Sequence, residues 1–402
     1  MILPPADWHQ RTSLKNLVSI LDGERGITRY VGGAVRDTLL ELPVSDVDLA
    51  TKLMPEAVID RLKTAHIKVI PTGLAHGTVT AVTDDGPVEI TTLRSDVSTD
   101  GRRATVAFTD DWKEDAARRD FTINALSANP ATLEVHDYFG GEQDLETRHI
   151  RFIGSAAERI AEDHLRIMRY FRFLARFGKD EVDGEAFAAC TDAAASLRSL
   201  SRERIADELM KLLATSDPVF AVTKMFEANL FAHVFAETDA DAIPLLARLV
   251  RREQEAGYSP DPLRRLVVLL PKDTETSLKI VTLLRFSKKA RRAVTSRLSD
   301  LAPTPDTIPA LAYHHGADAG RDMALLFAED SDLATCLALL EYWTKPLFPV
   351  GGGDLVEMGL EPGPIVAETL RKIEQAWIKK GFPGDREAIE LAKLMVRQAS
   401  AR

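Results

Sequence analysis

Cysteine is nearly absent from this sequence. The 402 residues include two cysteines, Cys190 and Cys336, which lie far apart and form no CxxC pattern or Cys/His cluster. Neither a zinc site nor a disulfide framework is therefore indicated, and such sparing use of cysteine is typical of a reducing cytosol. The sequence also lacks any run of about 18–20 apolar residues that could span a bilayer, and its N-terminus lacks the apolar segment of a secretory signal. We predict a soluble, cytoplasmic protein with no membrane partner.

The sequence also has no excess of positively charged residues. Lys and Arg total 51 against 61 Asp and Glu, which gives a formal net charge of −10. This balance argues against a chain coated with nucleic acid. It leaves room for a local basic channel, because net charge does not fix how charges are distributed. With 45% hydrophobic and 28% charged residues, the composition is that of an ordinary globular protein, and the length predicts about two to three domains.

Two kinds of sequence follow one another along the chain. The N-terminal part mixes short β-rich runs, such as 44–50 and 88–93, with Gly and Asp turns, which predicts strands among helices. From about Ser155 onward, stretches rich in Ala, Leu, Arg and Glu predict helices broken by Pro-containing turns. We predict an α+β fold with a mixed or antiparallel sheet and an all-α remainder. The predicted domains are a head over residues 1–150, a helical neck over 151–216, a helical body over 217–350 and a helical tail over 351–402.

The most informative turn lies at residues 30–37. A strand runs into Gly32 and Gly33 and then into a short helix. Glycines at this place let a phosphate approach the backbone N–H groups at the start of the helix. Arg36, one turn later, can pair with a second phosphate oxygen. The pattern predicts a nucleotide-binding turn.

Two aspartates follow this turn after about ten residues. Asp46 and Asp48 are separated by one residue in a β-like segment, so both carboxylates lie on the same face. Adjacent carboxylates repel each other, which is tolerated when divalent cations lie between them and a triphosphate. We therefore predict that Asp46 and Asp48 hold two Mg²⁺ ions for phosphoryl transfer, with Glu89 of the neighbouring strand as a third catalytic carboxylate.

These motifs resemble the nucleotidyltransferase head of the bacterial tRNA CCA-adding enzyme and poly(A) polymerase family, in the polymerase-β-like superfamily. The matching residues are GGAVRD at 32–37 and DVD at 46–48, and RRDFTINA at 118–125 matches a further motif of the family. Read from their chemistry, Arg118 and Arg119 supply guanidinium groups for phosphate or ribose. Asp120 can fix one of these arginines, and Asn124 can bond a sugar or the backbone. A surface Arg–Asp pair on an amphipathic helix is the alternative reading of this block taken alone.

A third motif occupies residues 161–178. Glu162 and Asp163 suit a helix N-terminus and Gly178 a helix end, so the segment predicts one helix. Asp163 and Arg166 would be neighbours on it. A carboxylate that accepts and a guanidinium that donates match the amino group and ring nitrogen of cytosine and adenine, whereas uracil and guanine reverse this order. The pair therefore predicts selection of C and A.

The same segment resembles the family's EDxxRxxRxxRF motif, whose Asp and first Arg are an amino-acid template for incoming CTP and ATP. The resemblance assigns base reading to Asp163 and Arg166, and nucleotide contact or bracing to Arg169 and Arg172. A packed helix with a solvated arginine stripe is the alternative. Residues 201–209 resemble the family's next motif, SxERIxxEL, for which we predict a supporting role.

A basic run without an acidic residue lies at 285–297. Such runs are commonly solvated helix faces, but tRNA phosphates require clustered positive charge. We predict that tRNA contacts are made by Lys288, Lys289, Arg291 and Arg292. Residues 353–364 resemble a C-terminal element of the family, and no protein partner is implied.

Together the motifs predict a template-independent CCA-adding tRNA nucleotidyltransferase. Such an enzyme transfers CMP, CMP and AMP from CTP and ATP to the tRNA 3′-hydroxyl and releases pyrophosphate. A poly(A) polymerase, or an enzyme that adds only CC or only A, would share the head and neck. Poly(A) polymerases commonly carry a basic extension, and the present sequence ends at Arg402 without one, which favours CCA addition. A non-catalytic RNA-binding protein is the alternative from another class, and the retained charged motifs argue against it.

Overall fold

A mixed β-sheet forms the centre of the N-terminal part of the chain. The computed structural model describes residues 1–100, 103–298 and 301–400, without the side chains of 96–100 and 103–106. The strands in these ranges are β1 (Thr28–Val31), β2 (Asp48–Thr51), β3 (Lys68–Gly73), β4 (Thr78–Thr83), β5 (Gly86–Thr92), β6 (Arg94–Asp100), β7 (Arg103–Phe108), β8 (Ser127–Ala128) and β9 (Val135–His136). The main sheet has the order β3-β4-β5-β2-β1-β8-β9, and β6 pairs with β7 in a separate hairpin. Strands β2 and β5 are parallel, and the other pairs of the main sheet are antiparallel.

Helices surround this sheet and continue beyond it. Those of the N-terminal part are α1 (Asp7–Gln10), α2 (Thr12–Ile20), α3 (Gly33–Leu39), α4 (Pro55–Thr64), α5 (Trp112–Ala117), α6 (Gly141–Thr147), α7 (Ala156–Glu162), α8 (Leu165–Phe177), α9 (Gly184–Asp192), α10 (Arg202–Leu213), α11 (Val219–Glu227) and α12 (Phe231–Val234). Within the described residues no strand follows β9. The predicted α+β fold, with a mixed sheet followed by helices, is confirmed.

The burial pattern of β2 shows where the sheet presents a polar group. In β2, Asp48 is exposed while Leu49, Ala50 and Thr51 are buried. Ala50 packs with Val31 of β1 and with Leu93 and Trp112 in one apolar cluster. Burial of these residues fixes the strand ends, so the polar residue at the start of β2 is held on a rigid support.

The prediction of one helix over 161–178 is wrong. Helix α7 ends at Glu162 and α8 begins at Leu165, and Asp163 between them has an extended backbone with φ −148° and ψ 106°. The Asp163 carboxylate accepts a hydrogen bond from the Leu165 backbone N–H at 3.0 Å. An unpaired N–H at the start of a helix requires such an acceptor, and Asp supplies it readily when its backbone is extended. The chain therefore restarts its helix at this point.

The chain divides into two compact units, Met1–Ala236 and Glu237–Arg402. The described part of the second unit is helical: α13 (Ala242–Glu255), α14 (Pro262–Leu269), α15 (Thr274–Leu283), α16 (Lys288–Thr295), α17 (Ile308–His315), α18 (Ala317–Phe327), α19 (Asp330–Leu340), α20 (Gly352–Glu357), α21 (Pro364–Lys379) and α22 (Asp385–Ser400). The four-domain division by sequence stays a prediction. Among the described helices, none has the length and apolar content needed to cross a membrane.

Inside the second unit, buried charges join its helices. Glu253 of α13 accepts hydrogen bonds from Arg264 at 2.7 Å and Arg265 at 2.9 Å, and Arg264 also donates to Asp322 of α18 at 2.7 Å. Arg297 donates to the same Asp322 from Nε at 2.8 Å. All these side chains are nearly inaccessible to water, so each charge depends on its partner.

Candidate active site

A tight turn between β1 and α3 forms one wall of the site. Gly32 has φ +66° and ψ −124°, a conformation that favours glycine. A Cβ at this position would lie 3.1 Å from Nη1 of Arg119. Glycine is therefore required both by the backbone and by the approach of that guanidinium, which the sequence motif alone did not reveal.

Asp46 and Glu89 both lie near Asp48, which begins β2, and Glu89 occupies the middle of β5. Asp48 pairs in register with Glu89 across the parallel strands, which places the two side chains on the same face. Asp46 precedes β2, and its carboxylate accepts a hydrogen bond from Ser45 at 2.8 Å. All three carboxylate-bearing residues are exposed.

The electrostatics of Asp48 fit a cation. Neighbouring protein atoms displace water from its carboxyl group, which raises the pKa of Asp48. The negative charges of Glu89 and Asp46 raise this pKa further, whereas the positive charge of Arg119 lowers it. The described residues contain no cluster of three or more His, Cys, Asp or Glu side chains already arranged to hold a metal ion. The hard oxygen donors of Asp46 and Asp48, with their uncompensated repulsion, fit Mg²⁺.

One buried carboxylate anchors the arginine pair of the RRD motif. Asp115 of α5 accepts a hydrogen bond from Nε of Arg118 at 2.9 Å and lies 3.5 Å from Nη2 of Arg119. It also accepts from the Arg94 backbone N–H at 3.2 Å. Sequence reasoning gave this anchoring role to Asp120 and missed Asp115. Asp115 precedes the two arginines by three and four residues, and this helical spacing could have predicted the contact.

Asp120 instead joins the head to helix α8. Its Oδ2 accepts from Nε of Arg169 at 2.7 Å, and its Oδ1 accepts from the Asn124 amide at 2.9 Å. Burial alone would raise the pKa of Asp120, but the Arg169 charge and these hydrogen bonds outweigh it and hold the pKa below its ordinary value. Asn124 also accepts a hydrogen bond from Arg36, so its side chain positions Arg36 and Asp120 in this structure.

Arg36 is held by several partners at once. Its Nε donates to Asp37 at 2.7 Å, and its guanidinium lies 4.2 Å from the ring centre of Phe177. Burial lowers its pKa, and the Asp37 charge opposes that effect. A buried guanidinium so constrained loses little further freedom on binding a phosphate.

Asp163 and Arg166 face the same cavity but bond to different partners. Asp163 accepts from Nη2 of Arg204 at 2.9 Å, whereas Arg166 donates to Glu162 and to the Arg118 carbonyl, the latter at 3.1 Å. The Arg166 backbone N–H donates to the Asp163 carbonyl at 2.9 Å, but the two side chains bind other partners because Asp163 has an extended backbone and precedes α8. Arg204 was predicted only to support the site, and the structure places it at the Asp163 carboxylate.

These groups enclose a cavity of about 430 Å³ in the first unit. Its lining contains six arginines and three aspartates, and Phe173 provides an apolar wall. The full lining is Gly32, Gly33, Arg36, Asp48, Arg118, Arg119, Asp120, Asn124, Asp163, Leu165, Arg166, Arg169, Phe173 and Arg204. The excess of arginine over aspartate suits a polyanionic ligand such as a triphosphate.

Some predicted residues lie elsewhere. Asp46, Glu89 and Arg172 do not line this cavity. Arg172 lies 2.7 Å from Glu208 and lines a second cavity of the first unit. Asp46 and Glu89 remain beside Asp48 at the edge of the first cavity, whereas Arg172 is directed away from it.

The fold exposes part of the basic run 285–297 and buries another part. On α16, Lys288, Lys289 and Arg292 are exposed, and Arg291 is partly exposed. Among the residues that the structure describes, none of the four has an acidic partner within ion-pair distance. Arg297 of the same run is buried against Asp322, so it is unavailable to a ligand.

Known proteins resemble the chain over nearly its whole length. The Poly A polymerase head domain family matches residues 28–151, and the family described as the probable RNA and SrmB- binding site of polymerase A matches residues 181–241. The mitochondrial CCA tRNA nucleotidyltransferase 1 of Mus musculus is 32% identical over 94% of this chain and 88% of its own length. The CCA-adding enzyme of Streptococcus sanguinis is 34% identical over 90% of this chain and 91% of its own.

A solved structure agrees with these sequence relatives. The CCA-adding enzyme of Bacillus stearothermophilus, solved in complex with CTP, superposes with a TM-score of 0.74 at 26% identity and covers 97% of this chain and 99% of its own. The resemblance inferred from the GGAVRD, DVD and RRDFTINA motifs is thereby confirmed, together with the predicted nucleotidyltransferase fold. The chain belongs to the family of CCA-adding tRNA nucleotidyltransferases.

Proposed function

We propose that this protein adds C, C and A to the 3′ end of tRNA, transferring CMP and AMP from CTP and ATP with release of pyrophosphate. The observation that carries the proposal is one cavity in which six arginines, Arg166 among them, meet Asp48 and Asp163. Phosphate-binding, metal-binding and base-reading groups thus share a space of nucleotide size. The relatives named for CCA addition support the same reaction.

The arginines hold the triphosphate in this proposal. Arg118 and Arg119 share the Asp115 carboxylate and keep their remaining N–H groups for phosphate oxygens. Arg36 and Arg169 are fixed by Asp37 and Asp120. Guanidinium groups positioned before the ligand arrives stabilise the developing charge without reorganisation.

Asp163 and Arg166 read the base. The carboxylate of Asp163 accepts from the exocyclic amino group of cytosine or adenine, and Arg166 donates to the adjacent ring nitrogen. Uracil and guanine would place an acceptor against the Asp163 carboxylate and a donor against the Arg166 guanidinium, and neither pair can form a hydrogen bond. Arg204 lies 2.9 Å from the Asp163 carboxylate and fixes its orientation as an acceptor.

Asp46 and Asp48 hold the metal, with Glu89 beside them. Nucleotidyltransferases of this family generally depend on a divalent metal, and the donor set favours Mg²⁺. Bound Mg²⁺ would lower the pKa of the RNA 3′-hydroxyl and neutralise charge on the phosphates. No side-chain general base is then needed.

Incorporation assays test this proposal. Purified protein is incubated with tRNA lacking its CCA end and with CTP, ATP, UTP and GTP, separately and together. We expect two C residues with CTP alone and a completed CCA end with CTP and ATP. Long A tails with ATP alone would indicate a poly(A) polymerase, and failure with every RNA would indicate a non-catalytic protein.

Substitution of the metal-binding residues tests the assignment within the site. Asp46→Asn and Asp48→Asn should each abolish incorporation, because an amide binds Mg²⁺ weakly and carries no charge. Asp60→Asn on the exposed face of α4 is the matched control and should keep wild-type activity. Near-wild-type rates in Asp46→Asn or Asp48→Asn would contradict the assignment.

We infer a cytosolic location for the protein. Its two cysteines are both buried and unpaired, and burial raises the pKa of the Cys190 thiol. Inert thiols of this kind need no oxidising compartment. Cell fractionation tests this inference, and recovery of the protein from a membrane-enclosed or secreted fraction would contradict it.

A further inference from the structure

A second cavity, of about 540 Å³, lies beside the first within the N-terminal unit. Its walls are Leu42 and Pro43 from the segment between α3 and β2, Arg172 and Arg176 of α8, and the end of α10 with Lys211. Its charged lining residues are all basic. The side chains of Arg176 and Lys211 keep 44% and 51% of their surface exposed, so a ligand can reach both.

The cations of this cavity are incompletely neutralised. Arg176 lies 3.1 Å from Asp37, but that carboxylate already binds Arg36 at 2.6 Å. One carboxylate therefore serves two guanidinium groups. Arg172 has the buried Glu208 as its partner.

The third cation of the cavity, Lys211, has only a weak ion pair. Lys211 pairs with Asp207 at 2.6 Å, and both side chains are more than half exposed. An exposed pair of this kind contributes little and exchanges readily with another anion. The second cavity thus offers positive charge at a partly enclosed surface, where an incoming anion would replace water.

The cavity is linked to the catalytic site through two connections. Asp37 bonds Arg36, which lines the catalytic cavity, and Arg176, which lines the second one. Pro43 lies three residues before Asp46. Three residues span at most about 11 Å, so an RNA strand whose 3′-hydroxyl lies at Asp46 and Asp48 can extend its preceding nucleotides to this segment.

We propose that the second cavity binds a phosphodiester of the RNA strand behind the 3′-hydroxyl, with Arg176 and Lys211 as its contacts. This proposal rests on the proposed function, because it requires an RNA 3′ end at the catalytic carboxylates. A guanidinium and an ammonium side by side suit a backbone phosphate and carry no base specificity. Leu42 and Pro43 add an apolar surface against which a ribose packs.

The test measures tRNA binding in the absence of nucleotide for wild type, Lys211→Ala and Arg176→Gln/Lys211→Ala at several salt concentrations. Each phosphate that the variant no longer binds should reduce the slope of log affinity against log salt by about 0.7 to 1. Lys224→Ala on α11 is the matched control, because Lys224 has a similar ion pair with Glu227 and lines neither cavity. We expect the wild-type slope for this control and unchanged CTP binding for Lys211→Ala.

Two results would overturn the proposal. One is a wild-type salt slope in both cavity variants. The other is altered inhibition by pyrophosphate with no change in the tRNA slope, which would identify a site for a small free anion. Failure of wild-type protein to incorporate CMP would instead refute the proposed function, and the binding slopes would still decide whether this cavity contacts RNA. Lys211 is exposed, so its truncation tests the site even if the double variant unfolds.

Discussion

At the residue scale, two buried carboxylates hold three of the six arginines that line the site. Asp115 holds Arg118 and Arg119, and Asp120 holds Arg169. Each carboxylate accepts hydrogen bonds from some of the N–H groups of its arginines. The remaining N–H groups are available to a ligand in the cavity. The site thus presents several cations to a ligand while each of these three arginines keeps an anchoring carboxylate.

Asp163→Asn should weaken base recognition. The amide supplies one acceptor and two donors where the amino group of cytosine or adenine needs an ionised acceptor. We expect kcat/KM for CTP and ATP to fall about 10- to 100-fold, which corresponds to about 1–3 kcal/mol, and the preference for CTP over UTP to narrow. Steady-state kinetics with each nucleotide measure this, and Asp192→Asn at the exposed end of α9 is the control. An unchanged CTP-to-UTP ratio would contradict the base-reading role.

Asp120→Asn should remove a pH-dependent part of the stability. The folded-state pKa of Asp120 lies below its ordinary value of 3.8. Its contribution is therefore complete above about pH 3.8 and is lost as the pH falls through the folded-state pKa. We expect the variant to be less stable at pH 7 by about 3 kcal/mol, because Arg169 is left without its charge partner.

Urea unfolding from pH 7 downward measures this effect. The gap between Asp120→Asn and wild type should narrow below about pH 3.8, where the wild-type carboxylate loses its contribution. Asp60→Asn should unfold like wild type at every pH. A constant gap over the whole range would show that the variant acts by packing rather than by charge.

At the element scale, the β1–α3 turn and the α7–α8 break decide where the chemistry occurs. The Gly32 conformation brings α3 and its Arg36 to the cavity wall. The extended backbone of Asp163 carries its side chain into the same cavity, where an unbroken helix would have kept it beside Arg166 on the helix surface. Two short departures from regular structure therefore assemble the site.

Gly32→Ala should impair activity more than a control substitution at another glycine of positive φ. Gly154 has a φ of +69°, but a Cβ there would meet no atom within 4 Å. Both substitutions place alanine at positive φ and should cost at least about 1–2 kcal/mol. Only the Cβ at position 32 would displace Arg119, so we expect a further loss of about 10- to 100-fold in kcat/KM.

Thermal unfolding and kinetics of the two glycine variants separate strain from contact. We expect both variants to unfold at a lower temperature than wild type, and a selective loss of activity in Gly32→Ala at a temperature where both are folded. Equal activity in both variants would mean that the approach of Arg119 to the turn does not matter for catalysis.

At the scale of the whole molecule, the two units carry different parts of the proposed reaction. The nucleotide cavity is lined only by residues of Met1–Ala236. The exposed basic face of α16 belongs to the second unit, whose helices are joined by the Glu253–Arg264–Asp322 contacts. Substitutions on α16 should therefore change tRNA binding and leave nucleotide binding unchanged.

Charge reversal on α16 tests this separation. The variant Lys288→Glu/Lys289→Glu/Arg291→Glu/Arg292→Glu should have a lower tRNA affinity. Its slope of log affinity against log salt should fall by about 0.7 to 1 for each phosphate that the helix no longer binds. CTP binding should not change. The helix itself should persist, because acidic residues near a helix N-terminus interact favourably with its dipole.

A double reversal on α21 and α22, Lys372→Glu with Lys393→Glu, is the control for net charge, compared for each reversed residue because it changes the charge by −4 and the α16 variant by −8. Both lysines are exposed and pair with glutamates on their own helices. We expect a smaller change in tRNA affinity for each reversed residue than on α16. Wild-type affinity and salt slope in the α16 variant would show that this helix is an ordinary solvated face.

The net charge of −10 is the sum of an uneven distribution, in which cations are concentrated locally. Six arginines converge on one cavity, and the basic face of α16 stands apart from acidic partners among the described residues. The sequence predicted the basic run and the arginine motifs from neighbouring residues, but it did not predict that Arg204 lines the cavity. It also predicted correctly that a mixed sheet would precede a helical remainder, because the change from short β-rich runs to long helical stretches is a local pattern.

The sequence by itself determined the motifs: the Gly32-Gly33 turn, Asp46 and Asp48, and the RRDFTINA block, whose residues are consecutive or nearly so. Only the tertiary structure decided which charges pair. Asp120 binds Arg169, 49 residues away, and Asp163 binds Arg204, 41 residues away. A buried ion pair depends on desolvation and on which elements are packed together, and neither quantity is encoded in the local spacing of side chains.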